Sequence, residues 1–466
     1  MNNNKISKRN WFLIALFCFV GGIAWSTENM YFNTFLYNSV YADATKAAIQ
    51  GTMAPTTAVS TMVALSAVAA VLTTFVMGTL SDKLKNRKYF ISVGYILWGI
   101  VTGLFGFITK DNVARVFHLS DEAVILTGTV WVVIFMDMLM TFMGSTSNDA
   151  AFQAWLTDIS SSGQRALVET VISVLTTVSS VAVTGVGSFA QAGKLTYRVF
   201  FMGLGIVVSV CGVAGLFLMK DPPKSEKKPS VKSSYLSDLV YGFRPCVIRD
   251  NSRLYLALSV FGLSVVSYQV FYPYLLVYIQ YVVIPDNGGA ESFLRPSVII
   301  TAAAVLLLLV LSVVFVIKNS AKKRGLCLTV CIVLMIVGLF ALSTGTDIHL
   351  ILVCVLPVVI GIAVTNILLG AAVKDFIPVG KAGQFQGIRM IFVVMIPMVV
   401  GPFLGDLACR NAAATYTNEY GAKTIVPAKD MFFVAGIVCI LALVPLFFLI
   451  KKGFETDSVA AEIEEG

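Results

Sequence analysis

Roughly twelve apolar runs, each about 20 residues or longer, follow one another along the chain. Each is long enough to cross the hydrocarbon core of a bilayer as an α-helix. In lipid no water is available to backbone N–H and C=O groups, so each run must close its own hydrogen bonds, which a helix does. The alternating pattern of outer-membrane strands is absent. Composition agrees: 57% of the 466 residues are hydrophobic and 13% charged, where a soluble domain has about 45–50% apolar and about 25% charged residues.

The runs predict helices at 11–38, 53–78, 89–109, 123–150, 165–190 and 197–219, then at 253–283, 296–317, 325–345, 349–373, 385–406 and 430–450. Between the sixth and seventh lies a polar stretch rich in Lys, Ser and Pro. The expected organisation is an N-terminal six-helix bundle over 1–219, a cytoplasmic linker over 220–250, a C-terminal six-helix bundle over 251–453 and an acidic tail over 454–466. The fold class is all-α membrane protein, with twelve transmembrane helices in two pseudo-symmetric six-helix bundles. The first run, Trp11 to Tyr37, is too long for a cleavable signal, and no small-residue cleavage site follows it.

The formal charge of +8 does not mark a nucleic-acid partner, because the basic residues fall on alternate loops. With the N-terminus inside, 25 of the 34 Lys and Arg residues lie on inner segments and 9 outside. Inner segments are the Lys- and Arg-rich ones, so both termini are cytoplasmic and the number of spans is even. Most of the eight cysteines sit inside apolar runs (Cys18, Cys211, Cys331, Cys354 and Cys439), and no disulfide is expected.

The halves resemble each other. Gly22-Ile-Ala-Trp-Ser-Thr-Glu-Asn29-Met-Tyr-Phe32 matches Gly262-Leu-Ser-Val-Val-Ser-Tyr-Gln269-Val-Phe-Tyr272. Lys85-Asn-Arg87 matches Lys322-Lys-Arg324, and Gly144 and Asp158 match Gly361 and Asp375. Matches in one order point to a duplicated six-helix unit, which puts a solute site between the halves near mid-membrane.

The loop after the second helix reads Gly78-Thr-Leu-Ser-Asp82-Lys83-Leu-Lys85-Asn86-Arg87-Lys88. With the 6+6 layout it resembles the signature of the major facilitator superfamily, although Lys85 stands where a Gly precedes the basic pair. Gly78 is expected to let two helices approach closely, and Asp82 to accept from a helix N-terminus or an Arg. Within the superfamily, Asn148-Asp149-Ala-Ala-Phe-Gln-Ala-Trp155-Leu-Thr-Asp158 and Lys374-Asp375-Phe-Ile-Pro378, leading to Gly383-Gln-Phe-Gln-Gly387-Ile-Arg389, resemble the glycoside–pentoside–hexuronide:cation symporters. That resemblance implies sugar transport coupled to a cation. Its sodium-coupled members carry paired carboxylates on the second helix, which here has neither Asp nor Glu.

Charged residues inside membrane helices are costly and usually functional. At 100° per residue, Trp25, Glu28, Asn29 and Phe32 share one face. An aromatic platform beside an amide and a carboxylate suits a sugar, whose C–H faces stack and whose hydroxyls hydrogen-bond. The other reading of Glu28 is a carboxylate at an aqueous mouth. On the fourth helix Asp137, Thr141, Gly144 and Asn148 form one stripe. Asp137 is a candidate for cation coupling, against a structural hydrogen bond. Asp149 is a second candidate, or an inner-gate residue, and Glu28 a third. On the seventh helix Gln269 and Tyr272 correspond by the repeat to Asn29 and Phe32, beside Tyr268, Tyr274 and a kinking Pro273. They suit a central sugar site or plain aromatic packing. Asn366 is a lesser candidate. Asp82, Arg87, Asp158, Arg165, Asp375 and Arg389 fall at inner helix ends; with Gly78 they make a candidate cytoplasmic gate, the alternative being topology signals on solvated loops.

No catalytic constellation or metal motif occurs. The two histidines, His118 and His349, are far apart in sequence, and no phosphate-cradling Lys loop exists. The chain is therefore read as a multi-pass inner-membrane protein of bacterial type and not as an enzyme. It is expected to need no cofactor beyond a coupling ion, H⁺ before Na⁺, and to work as a monomer in the lipid bilayer. The leading function is cation-coupled symport of a sugar or glycoside by alternating access. Alternatives are another small solute (a drug, peptide-like compound or lipid) or a solute receptor that moves nothing.

Overall fold

The computed structural model describes residues 6–84, 86–160, 165–191, 193–220, 243–320, 324–377, 382–412, 414–417 and 422–454. Among the described residues ten helices are long and apolar enough to cross a membrane. In chain order they are α1 (Lys8–Val40), α2 (Pro55–Leu84), α3 (Arg87–Phe107), α4 (Glu122–Leu156), α6 (Tyr197–Leu218), α7 (Ser252–Asp286), α9 (Arg324–Leu342), α10 (Ile348–Phe376), α11 (Gly387–Ala412) and α12 (Asp430–Lys451). Helices α5 (Arg165–Gln191) and α8 (Pro296–Ser320) complete a set of twelve. Among the described residues of the expected 220–250 linker, Pro245–Asp250 is helical; 221–242 and 455–466 lie outside the described residues.

Several ends are fixed by capping. Asp121 accepts from Val124 N–H at the start of α4, Thr196 from Val199 N–H at α6, and Asp347 from His349 and Leu350 N–H at α10. Large apolar side chains remain on the surface, among them Phe217 at 81% exposure. Such a surface belongs in lipid.

The chain divides into two compact units, the first holding α1–α6 and the second α7–α12. Their internal pairings repeat. In the first, α3 packs on α6, α1 on α5, and α4 on α2 and α3; in the second, α9 packs on α12, α7 on α11, and α10 on α8 and α9. The repeated glycines explain two of these contacts. A Cβ on Gly22 would stand 2.7 Å from Ser179 Oγ of α5, and one on Gly262 2.6 Å from Phe392 O of α11. A Cβ on Gly144 would meet Trp98 of α3 at 2.8 Å, and one on Gly361 Met335 of α9 at 2.6 Å. Glycine is needed there because backbone and neighbour nearly touch.

Among the described residues four spans contain π-helical turns. α1 contains π-helical turns at Thr27–Tyr31 and Leu36–Val40, α4 at Ser145–Phe152, α7 at Ile279–Val283 and α11 at Ile391–Met395. In α7 the α-helix ends at Gln269 and resumes at Leu275, with a 3₁₀ turn Tyr272–Tyr274 between. Pro273 has no N–H to return to the Gln269 carbonyl, so regular helix breaks there.

Candidate functional site

In the first unit α1, α2 and α4 meet around two carboxylates. Glu28 is 7% exposed and Asp137 2%. Thr141 Oγ1 donates to Glu28 Oε1 at 2.6 Å, and Ser66 Oγ of α2 donates to Asp137 Oδ2. Thr141 lies four residues from Asp137 on the same face of α4, so the two carboxylates come within about one helical turn of each other. The second oxygen of each, Glu28 Oε2 and Asp137 Oδ1, is buried and accepts no hydrogen bond. A buried anionic oxygen without a donor is expensive. A proton on it, or a cation beside it, removes that cost. Three turns past Asp137, half-buried Asp149 accepts from Ser145 Oγ at 3.0 Å inside the π-helical part of α4. Among the described residues no three carboxylate, imidazole or thiol groups converge as a metal site.

Aromatic rings flank these groups. Half-buried Trp25 meets Trp98 of α3 edge-on, centroids 5.1 Å apart, and both rings close over Gly144, where a Cβ would stand 3.0 Å from Trp25. Trp98 Nε1 is buried with no acceptor. Asn148 faces α1 at Gly21, whose Cβ would lie 2.8 Å from Asn148 Nδ2. Asn29 keeps its amide N–H on the Trp25 carbonyl at 2.8 Å. Phe32 shares with Trp25 the side of α1 that packs on α3. That ring is fully buried, stacked on Phe105 at 3.6 Å and edge-on to Phe201 at 5.4 Å.

In the second unit Gln269 is 5% exposed and its Oε1 accepts no hydrogen bond. Half-buried Tyr272 meets Tyr268 edge-on at 5.8 Å, and Tyr274 donates to the Pro402 carbonyl at 2.8 Å. On α10, Thr365 is buried with an unpartnered hydroxyl, while Asn366 beside it is exposed.

At the helix ends expected to be cytoplasmic, Arg87 Nε lies 3.4 Å from Asp158 Oδ2 and Arg324 Nη1 lies 3.4 Å from Asp375 Oδ2. These are the same pair in the two repeats. Arg389 is half-buried on α11, and the side chains of Asp82 and Arg165 lie outside the described residues. The close approach expected at Gly78 is not present: a Cβ there would meet nothing nearer than Ala150 at 3.9 Å. Sequence reasoning passed over Ser66, Trp98 and Ser145, which look like ordinary small or aromatic residues in apolar runs. It also left Arg324 out of the gate, although the repeat had aligned it with Arg87.

The family model described as Major Facilitator Superfamily matches residues 30–402. No curated protein matches the sequence. Solved structures do match in fold. The nucleoside transporter NupG is 13% identical, with 94% of this chain and 98% of that one covered and a TM-score of 0.59. A bacterial homologue of the human lysosomal transporter Spinster, inward-facing and occupied, is 12% identical over 95% and 96%, at 0.58. A D-xylose-proton symporter is 13% identical over 94% and 97%, at 0.59. Twelve helices in two repeated units, intramembrane carboxylates and a family match over most of the sequence agree: the chain belongs to the Major Facilitator Superfamily, a family of membrane transporters.

Proposed function

We propose that this transporter is a proton-coupled symporter of a sugar or glycoside, of the glycoside–pentoside–hexuronide:cation kind. The observation that carries the coupling is the pair Glu28 and Asp137, each buried, each with one oxygen on a hydroxyl and one without a donor. A single proton or cation shared by such a pair changes the energy of the whole site, because two unneutralised carboxylates in a low-dielectric interior repel strongly. The proton is the ion assigned, since it supplies the missing donor directly and α2 lacks the carboxylate pair of the sodium-coupled members within the membrane. Trp25, Asn29 and Asn148 of the first unit and Gln269, Tyr272 and Asn366 of the second offer stacking and amide contacts of the type a polyol uses. Arg87–Asp158 and Arg324–Asp375 are the inner-gate elements, weak singly but able to bias a two-state equilibrium together.

Uptake into proteoliposomes tests this. An inward proton gradient should drive accumulation of a sugar or glycoside, an equal sodium gradient should not, and Asp137→Asn should abolish accumulation while leaving solute exchange intact. Retained gradient-driven accumulation in Asp137→Asn and Glu28→Gln would remove the coupling assignment.

A further inference from the structure

Past Lys451, the last residue of α12, the chain turns back onto the inner helix ends of its own unit. The Lys452 and Gly453 N–H groups return to the Phe448 and Ile450 carbonyls, both at 3.1 Å. Gly453 has φ +85°, a left-handed conformation that glycine adopts freely and a side chain disfavours, so the helix stops there. Lys452 Nζ donates to Ser252 Oγ, at the start of α7, at 2.9 Å and ties the turn down. The residue delivered by this turn is Phe454. It follows two lysines and a glycine, yet only 3% of it is exposed.

The Phe454 ring sits where two other helices end. On α9 it meets Gly325, where a Cβ would stand 3.8 Å from Phe454 Cδ1. On α10 it meets Phe376 edge-on, centroids 6.4 Å apart, within the range of favourable aromatic pairs. Gly325 follows Arg324, and Phe376 follows Asp375. Phe454 therefore bridges the two helix ends that carry the pair Arg324–Asp375, whose Nη1 and Oδ2 lie 3.4 Å apart. Those side chains are 31% and 44% exposed, and water leaves such a pair little net energy with which to set its own geometry. A buried ring fixes the spacing of the ends by packing, so less freedom is lost when the charges meet. The first unit supports its pair in another way: Arg87 has a second partner in Ser81 Oγ of α2.

We propose that Phe454 is a positioning residue of the inner gate. Wedged between α9 and α10, it sets Arg324 opposite Asp375 and so gives that ion pair its influence on the conformational balance. This role rests on the reading of Arg324–Asp375 as a gate element.

The test uses the full chain in liposomes, with a reporter cysteine on the inner side and with Cys246 and Cys327, the cysteines not fully buried, replaced by serine. Reporter labelling reads the ratio of inward-open to outward-open protein. Arg324→Ala and Phe454→Ala should each raise that ratio about threefold. Together they should still raise it only about threefold, because both remove one interaction. Arg87→Ala with Phe454→Ala should instead multiply to roughly ninefold, since the first unit's pair has its own support. Phe454→Leu, which refills the seat, should keep the original ratio. At about 1 M salt, where the charges are screened, Phe454→Ala should change nothing, whereas a ring of purely structural importance would matter as before. Should Phe454→Ala not fold, Phe454→Val decides by the same comparisons with a smaller shift. A multiplied effect of Arg324→Ala with Phe454→Ala, or a Phe454→Ala effect that survives high salt, would overturn the positioning role. A double-mutant cycle in Tm separates that role from the gate: the coupling of Arg324→Ala to Asp375→Ala should vanish when Phe454→Ala is added. If it vanishes while Arg324→Ala leaves the ratio unchanged, the gate reading alone falls. If it persists, the positioning role falls.

Discussion

The two units share a scaffold and differ in what they bury. Gly22 and Gly262, Gly144 and Gly361, and the pairs Arg87–Asp158 and Arg324–Asp375 are repeat-related and do the same job in each half. The polar interiors diverge. The first unit buries Glu28 and Asp137 with hydroxyl partners. On α7 the position aligned with Glu28 is Tyr268, and the buried polar group beside it, Gln269, is uncharged. Its buried carboxylate, Asp406 of α11, is held by Arg410 through Nε at 3.1 Å and Nη2 at 2.9 Å, which neutralises it in place. The packing contacts repeat in both units, and among the described residues the buried carboxylates without a cationic partner lie in the first. Packing tolerates little change, since a single Cβ at a touching backbone forces a shift, whereas an interior polar side chain can be exchanged wherever its hydrogen bonds are met.

That contrast predicts a division of labour, and the largest effect should appear in the first unit. One pH unit is worth about 1.4 kcal/mol, so one proton per solute supports about tenfold accumulation for each unit of imposed gradient. Asp137→Asn should bring that ratio to one while counterflow exchange continues. In the intact protein the proposed proton coupling requires uptake to fall as external pH rises. A Gln269→Leu variant of equal accumulation defect would break the division. The expected result for Gln269→Leu is instead a roughly tenfold loss of solute affinity, from about 1–1.5 kcal/mol of hydrogen bonding, with its pH dependence unchanged, read by binding titration at two pH values.

The shared scaffold is tested next. Gly144→Leu and Gly361→Leu should each destabilise by about 1–3 kcal/mol, visible as similar falls in Tm of the purified protein. A large fall from one and none from the other would show that the scaffolds are not equivalent. The smallest effect belongs to the ion pairs: Arg87→Ala and Arg324→Ala should each change the balance of conformations by about 0–1 kcal/mol, detected by labelling of engineered inner-side cysteines and diminishing at high salt. A charge swap across Arg87 and Asp158 should restore the original balance.

Much of the scaffold was legible in the sequence. The length and polarity of the runs dictate helices, the glycine and arginine spacings carry the duplication, and Pro273 carries its own break in α7. Which residues share a helix face was legible from periodicity. Asp137 and Thr141 sit on a regular stretch of α4, and their shared face is real. Trp25 and Phe32 do share one side of α1, but that this side packs on α3, with Phe32 stacked on Phe105, is not encoded in α1. Ser66 and Trp98 carry no signal of their own, since their importance comes from what other helices bring beside them.

By itself, then, the amino-acid order determined that the chain crosses a membrane many times, in two similar six-helix halves, with few charges kept in the apolar zone. Those outcomes follow from backbone hydrogen bonding in lipid and from the cost of buried charge, both of which act on local sequence. Only the tertiary structure decided that Thr141 serves Glu28, that Ser66 serves Asp137, and that Arg410 neutralises Asp406. The partner of a buried polar atom is chosen by which side chains the packing of whole helices brings within about 3 Å, and no spacing along one helix encodes that choice.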